Sequence, residues 1–496
     1  MKKIKGKNFL FYGINYIVGF GLLASIASVL KTGSYSILVF AITSFIAGGV
    51  MLAFARGTQM YSKEVGGSYV FVKKAFPKKR WLWYFNGWNQ FLQAPLFSAT
   101  TPLFFISIIR LFINNSSVYE KYSLLIQLLA LIFFIVLTII SALNFGISKK
   151  VIVWTAYVKW IVIAIIFASV IALLIQNPGN SFIKNTEKVT PFMIISSILS
   201  FIYAYGGVEG LSGLSTEVEA KNFRKILLSV FGIILFIYLV FYLMFIFIDS
   251  SSVSTKTISN YTAAIMNKVM GIAGLIIFTI GLLFRQVTST VFSMIYYAKA
   301  VVPLAQDGFL PSQLSQVAKN GQHRKAIVFA ASITIASMII FTILPGLLGV
   351  PDQFETILNA GNLVFFVQYL LAIIAVLVLS KKLRNEVKSP LWEKLVYIIT
   401  SILIIIVLLI TFIPPIVGEA YDSSQLITIL SYIVFMVIGF IVWGVYLLFK
   451  WFIDFKKAIV NPQNQSQNLS SKEYTQLLKQ NSDHTHNCEI EHPNTN

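Results

Sequence analysis

Residues 13–25 read GINYIVGFGLLAS and residues 203–213 read YAYGGVEGLSG. Each stretch sits inside an apolar run long enough to cross a bilayer. Each also gathers glycine at mid-run: Gly19 and Gly21 in the first, Gly206, Gly207 and Gly210 in the second. Unwinding a helix inside a membrane frees backbone N–H and C=O groups, which is tolerated only where they line a cavity or hold a ligand. Paired interruptions in corresponding spans therefore point to the binding site of a secondary transporter. Close packing of small residues is the competing explanation, because Gly206 and Gly210 also form a GxxxG pattern.

The composition around these stretches is that of a membrane protein. The chain has 496 residues, 57% of them hydrophobic and only 12% charged, with a mean hydropathy of +0.78. A soluble domain carries about 25% charged residues, so an ordinary soluble enzyme is excluded. Barrel strands alternate apolar and polar residues, whereas these runs are apolar throughout. The fold class expected is all-α and polytopic, with about twelve spans of roughly 20 residues. They fall near 8–30, 35–55, 84–112, 122–143, 151–175, 192–214, 226–248, 269–298, 326–349, 356–380, 395–416 and 426–452. The interruptions in the first and sixth fit two five-helix repeats of opposite orientation, about 8–175 and 192–380, followed by two extra helices at about 395–452.

The net charge of +20 would suggest nucleic acid in a soluble protein; here it follows loop topology. With the N-terminus inside, the inner loops receive Arg56, Lys73, Lys74, Lys78, Lys79, Arg80, Arg224, Lys225, Arg324, Lys381 and Lys382 among others. The outer loops receive only Lys31, Arg110, Lys121, Lys184, Lys188, Lys256 and Lys268. The positive-inside rule thus puts both termini in the cytoplasm of a plasma-membrane protein. The start imitates a secretory signal, but its apolar run holds the glycines of the first interruption, and it is expected to stay as span 1. The transmembrane core is expected over 1–455. From 456 to 496 the chain turns to Asn, Gln, Ser and His, too polar to offset the entropy of ordering, and reads as a disordered cytoplasmic tail. Its His484, His486, Cys488 and His492 fit no closed zinc spacing. No metal or other cofactor is expected.

Five segments in register resemble the amino acid/polyamine/organocation transporter superfamily, the amino acid permeases. Residues 17–23 (IVGFGLL) look like its unwound first-span segment, with Phe20 at a small-residue position. Residues 66–76 (GGSYVFVKKAF) are similar to the segment after its second span. Residues 203–209 (YAYGGVE), continued by 217–226 (EVEAKNFRKI), resemble the sixth span and the loop after it, with Phe223 for proline and Lys225 for arginine. Lys159 in VWTAYVKWIVI matches a fifth-span lysine, and 304–311 (LAQDGFLP) a loop in which Gln306 replaces arginine. The resemblance implies the inverted-repeat fold of the sodium-coupled leucine transporter class. It also implies an amino acid substrate whose α-carboxylate meets the N–H groups of Gly19, Phe20 and Gly21. The α-ammonium would meet carbonyls of Ile17, Ala204, Tyr205 and Gly206, under an aromatic gate at Tyr203. In similar permeases the fifth-span lysine stands in for a sodium ion, tethering helices 1 and 8.

Ionisable groups at mid-membrane are functional candidates by default. Lys159 is either a proton carrier or a fixed structural cation. The resemblance implies that Glu209 is a proton-sensitive link between the site and the inner half of span 6; the other reading is a protonated or amide-bonded acid that merely stabilises the loop. Arg285, in LLFRQVTS at the middle of span 8, could bind an acidic substrate side chain, pair with Glu209 or face water. No HExxH, GxSxG, Walker A or EF-hand motif occurs, so an enzyme or an ATP-driven pump is not expected. The expected function is secondary transport of amino acids, by proton symport or by exchange. An amino acid sensor with the same fold, a polyamine or organocation carrier and a passive channel are the alternatives.

Overall fold

The computed structural model describes residues 4–460 apart from 62–63, 65, 113–115, 144, 177–187, 220–221, 249–260, 320, 345–353 and 384–388. Eleven helices among these residues are long and apolar enough to cross a membrane. The remaining expected span, 8–30, is present as two helices, Gly6–Ile17 and Phe20–Leu30, each too short to cross alone. The pair and the eleven together account for the twelve apolar runs. The protein is an all-α polytopic membrane protein.

In chain order, span 1 is this broken pair and span 2 is Ser36–Met60. A short helix, Ser68–Ala75, follows. Span 3 runs in three pieces, Arg80–Phe91, Gln93–Ala99 and Thr101–Arg110; spans 4 and 5 are Ser116–Ala142 and Phe145–Gln176. Span 6 consists of Pro191–Phe201, one tight turn at Ile202–Tyr205, and Val208–Gly213. Span 7 is Phe223–Ile246, and span 8 is the C-terminal part of Tyr261–Gln306, which kinks at Gly271. Span 9 is Arg324–Met338 with a π-helical turn at Ile339–Ile343, and spans 10 and 11 are Phe354–Lys382 and Leu391–Phe412. Span 12, Ser423–Val460, continues as helix past residue 456, where the tail was expected to begin. Residues 461–496, with the histidine-rich tail, lie outside the described residues.

One compact unit runs to Gly439; from Phe440 a second holds, among the described residues, the rest of the span 12 helix. Within the first, spans 2, 3 and 10 are the inner ones: 67–72% of their apolar windows are buried, against 28–33% for spans 4, 5, 7 and 11. The latter must turn most of their surface to lipid. Polar contacts gather alternate chain ends on one face. Ile4 and Lys5 pair in parallel with Val218 and Glu219, so the start of span 1 meets the end of span 6. Lys73 contacts Asp307 at 2.6 and 2.8 Å, Tyr69 donates to the same carboxylate, and Arg80 reaches the Asp307 carbonyl. The GGSYVFVKKAF and LAQDGFLP segments, more than 200 residues apart, thus meet through one aspartate. Arg324 bonds the Ala142 carbonyl, Lys382 bonds that of Ala75, and Glu393 is held by Arg56 and Arg224.

Candidate functional site

Span 1 stops at Ile17, because Val18 is extended (φ −66°, ψ 120°), and restarts at Phe20. A helix that ends in mid-membrane leaves its last carbonyls without intrahelical donors. Lys159 of span 5, only 3% exposed, supplies one: its ammonium donates to the carbonyls of Asn15 and, at 2.8 Å, of Val18. The cation also sits at the negative end of the first half-helix dipole, where positive charge is favoured. The lysine therefore ties span 5 to the first break. Span 5 is tied to span 8 separately, through the Thr155 and Thr288 hydroxyls.

Span 6 breaks at Gly206 and Gly207. Gly207 has φ +112°, a region that side chains rarely adopt. The fold of the chain there turns its N–H toward the carboxylate of Glu209, at 3.1 and 3.2 Å. The Tyr369 hydroxyl donates to the same carboxylate at 3.0 Å. Glu209, 1% exposed, is thus held by the break in its own span and by span 10.

The two breaks touch. A β-carbon on Gly21 would fall 2.9 Å from the Tyr203 carbonyl oxygen and 3.0 Å from the Ala204 α-carbon. The Tyr238 hydroxyl of span 7 bridges them, donating toward the carbonyls of Ala204 at 2.7 Å and Ile17 at 3.3 Å. Beside this junction lies a cavity with about 480 Å³ of unfilled space, bordered by Tyr16, Ile17, Gly21, Gln93, Phe97, Tyr203, Gly206, Gly207, Glu209, Arg285, Ser289, Ser293, Tyr297 and Phe365. An adjoining one of about 460 Å³ shares Phe97, Tyr203, Arg285, Ser289, Ser293 and Tyr297. Among the described residues, no histidine or cysteine lines either cavity.

Most of the candidate residues converge here. Ile17, Gly21, Tyr203, Gly206, Glu209 and Arg285 border the larger cavity. Gly19 and Lys159 lie just behind it, on a third cavity of about 290 Å³ that also touches Arg285. Ala204 is buried and offers its carbonyl to Tyr238. The Tyr205 side chain points elsewhere, with its hydroxyl 2.7 Å from that of Ser44 on span 2. Helix Phe20–Leu30 begins at Phe20, whose side chain lies outside the described residues.

Sequence reasoning missed Tyr16, Gln93, Phe97, Tyr238, Ser289, Ser293, Tyr297, Phe365 and Tyr369. Ser289, Ser293 and Tyr297 follow Arg285 at helical spacing and were legible as one polar face of span 8. Tyr238 and Tyr369 carried a weaker signal, a hydroxyl in the middle of an apolar span. Gln93 donates to Gln368 at 2.6 Å, and Gln368 donates in turn to Ser68 at 2.9 Å. This links the cavity wall to the GGSY segment. Tyr238→Phe is expected to lower the stability of the detergent-solubilised protein by about 1–3 kcal/mol, because it leaves a buried carbonyl without its donor. An unchanged unfolding midpoint would show that the two breaks are held by other contacts.

A family model described as amino acid permease matches residues 6–438. The chain is 29% identical over 474 residues to the uncharacterized protein MG225 of Mycoplasma genitalium, with 89% of this chain and 94% of the relative covered. It is 28% identical to the uncharacterized protein MG226 of the same organism, covering 86% and 92%. It is also 28% identical to an uncharacterized MG226 homolog of Mycoplasma pneumoniae, covering 88% and 93%. The match takes in both breaks, the cavity between them and Glu209, and the chain belongs to the amino acid permease family of the amino acid/polyamine/organocation superfamily.

Proposed function

We propose that this protein is a secondary active transporter that carries amino acids across the plasma membrane by alternating access. Spans 1–5 and 6–10 act as inverted repeats. The observation that carries the reading is the meeting of two broken spans, backbone against backbone, beside a polar-lined cavity. Such a junction offers N–H groups at the start of helix Phe20–Leu30 and carbonyls at Ile17 and Ala204. A zwitterionic amino acid satisfies both, its carboxylate on the N–H groups of Gly19, Phe20 and Gly21 and its ammonium on the carbonyls of Ile17 and Ala204 to Gly206. A carbonyl oxygen has two lone pairs, so the Tyr238 bond does not exhaust it. Tyr203, whose ring centroid lies 5.3 Å from that of Phe97, closes over the substrate.

The orientation we favour puts both termini in the cytoplasm, since Arg56, Lys73, Arg80, Arg224, Arg324 and Lys382 all make their contacts on the face where span 1 begins. Energy comes from proton symport or from exchange. In the symport form, Lys159 or Glu209 carries the proton, and uptake rises as the external pH falls. Counterflow in proteoliposomes preloaded with mixed amino acids is the test. Accumulation of a labelled amino acid is expected, and its absence in folded protein would remove the reading. Lys159→Gln is expected to flatten the pH profile of uptake. A profile that keeps its slope assigns the lysine to holding the Asn15 and Val18 carbonyls alone.

A further inference from the structure

We infer that the permease selects amino acids with a hydroxyl or carboxamide side chain, read by Gln286 of span 8; this rests on the transport reading above. The cavity adjoining the breaks carries polar side chains that the α-groups of a substrate do not use. Gln286, Ser289 and Thr290 lie three and four residues apart, on one face of span 8. Span 3 adds Ser98 and Thr101 to the same lining. The Gln286 amide donates to the Thr101 hydroxyl at 3.2 Å and to that of Thr290 at 3.3 Å. Both amide hydrogens are thereby used, which fixes the carboxamide and leaves its carbonyl oxygen with no hydrogen bond among the described residues. Ser98 and Ser289 make no side-chain hydrogen bond among the described residues either. Thr101 and Thr290, 3% and 5% exposed, accept from Gln286 and keep their own protons for another acceptor.

Polar groups left unpaired inside a membrane protein are costly, and a ligand that pairs with them recovers the cost. This set offers one carbonyl acceptor together with hydroxyls that both donate and accept. Hydroxyl and carboxamide side chains carry the same combination. A carboxylate only accepts, and sets acceptor against acceptor at the Gln286 carbonyl; an ammonium or guanidinium meets Arg285, which borders the same cavity. An aliphatic side chain fills the space but strips water from every one of these groups without replacing its hydrogen bonds. A site built to hydrogen-bond its substrate rejects the apolar isostere strongly for that reason. The two cavities share Phe97, Tyr203 and Ser289. A substrate whose α-groups lie against Gly21 and Gly206 in the first cavity therefore extends its side chain along this common wall into the second.

The test is counterflow by the full-length protein in proteoliposomes, comparing near-isosteric pairs, threonine against valine and asparagine against leucine, with aspartate and lysine alongside. The wild type is expected to prefer the polar member of each pair by roughly tenfold or more. Gln286→Met, which keeps the length and removes the carboxamide, should bring both ratios close to one through a higher KM for threonine and asparagine. Ser289→Ala, which leaves Gln286 in place, should lower the ratios in part. Equal transport within the pairs, or a preference for aspartate or lysine over asparagine, overturns the inference and leaves the transport reading standing. So do ratios that survive Gln286→Met, and a Gln286→Met variant that slows every substrate alike, the pattern of a residue that only packs span 8 against span 3. If no amino acid accumulates with the folded wild type, the transport reading itself falls and the inference with it. If Gln286→Met does not fold, the wild-type and Ser289→Ala ratios decide.

Discussion

Gly21→Val abolishes uptake while Gly19→Ala largely spares it. The two glycines are neighbours in the same break, and the sequence pattern treats them alike. Their surroundings differ. The β-carbon of any residue at 21 would lie 2.9 and 3.0 Å from main-chain atoms of Tyr203 and Ala204. Main chain in a broken span cannot swing aside as a side chain can, so the two breaks must separate. Separation also pulls the Ile17 and Ala204 carbonyls away from the shared Tyr238 hydroxyl. At Gly19 the β-carbon would meet the Arg285 side chain at 3.5 Å and that of Lys159 at 4.0 Å, both ordinary contacts. Its φ of 168° is extended backbone open to any residue. Initial uptake rates normalised to folded protein in the membrane decide the matter. A loss of roughly a hundredfold or more for Gly21→Val, worth about 2.7 kcal/mol, is expected. Equal loss in both variants would mean that flexibility at the break, not contact between the breaks, is what transport needs.

The same pair shows where sequence reading ends. The positions of both breaks were marked by glycine clusters at mid-span, although the close packing of helices uses the same residues, and it was their occurrence in corresponding spans that pointed to a break. Lys159 and Glu209 were legible for the related reason that charge in an apolar span requires a purpose. Span 1 as a partner of Lys159 came only from the family resemblance, and the partner atoms of neither residue were legible. Lys159 finds carbonyls 144 and 141 residues away, and Tyr369 reaches Glu209 across 160 residues. No periodicity links such positions, and the partner is often a backbone oxygen that any residue possesses. Tyr238 was hidden for this reason: it acts on two carbonyls, so no second side chain marks its role. Span 1 shows the opposite case. Hydropathy gave one continuous crossing, and the interruption read from its glycines appears as two helices, neither long enough to cross by itself.

Glu393 escaped the sequence reading because a carboxylate in the first turn of a helix explains itself through the helix dipole. Its surroundings give it a larger part. Arg56 of span 2 donates to both of its oxygens, from Nε at 3.0 Å and from Nη2 at 2.6 and 2.7 Å. Arg224, at the start of span 7, donates to it as well, and the Tyr397 hydroxyl lies 3.4 Å away. Arg56 is 4% exposed and Glu393 1%, while Arg224 is 22% exposed. One carboxylate therefore holds two arginines from two spans against span 11. Removing one member of a buried ion pair leaves its partner charged and desolvated, which costs about 3–5 kcal/mol. Glu393→Ala leaves Arg56 buried with only the Gln59 side chain, at 3.0 Å, to accept from it among these contacts. A drop in stability of about that size is expected, read from thermal or denaturant unfolding of the solubilised protein. Arg224→Ala, which frees a partly solvated group, should cost less, about 1 kcal/mol or below. The double variant Arg56→Met with Glu393→Leu separates the contributions, because it removes the buried pair together and leaves only the partly solvated Arg224 without its carboxylate. Recovery of most of the stability would assign the loss in Glu393→Ala to the stranded arginine, and no recovery would assign it to the anchoring of spans 2 and 7 on span 11.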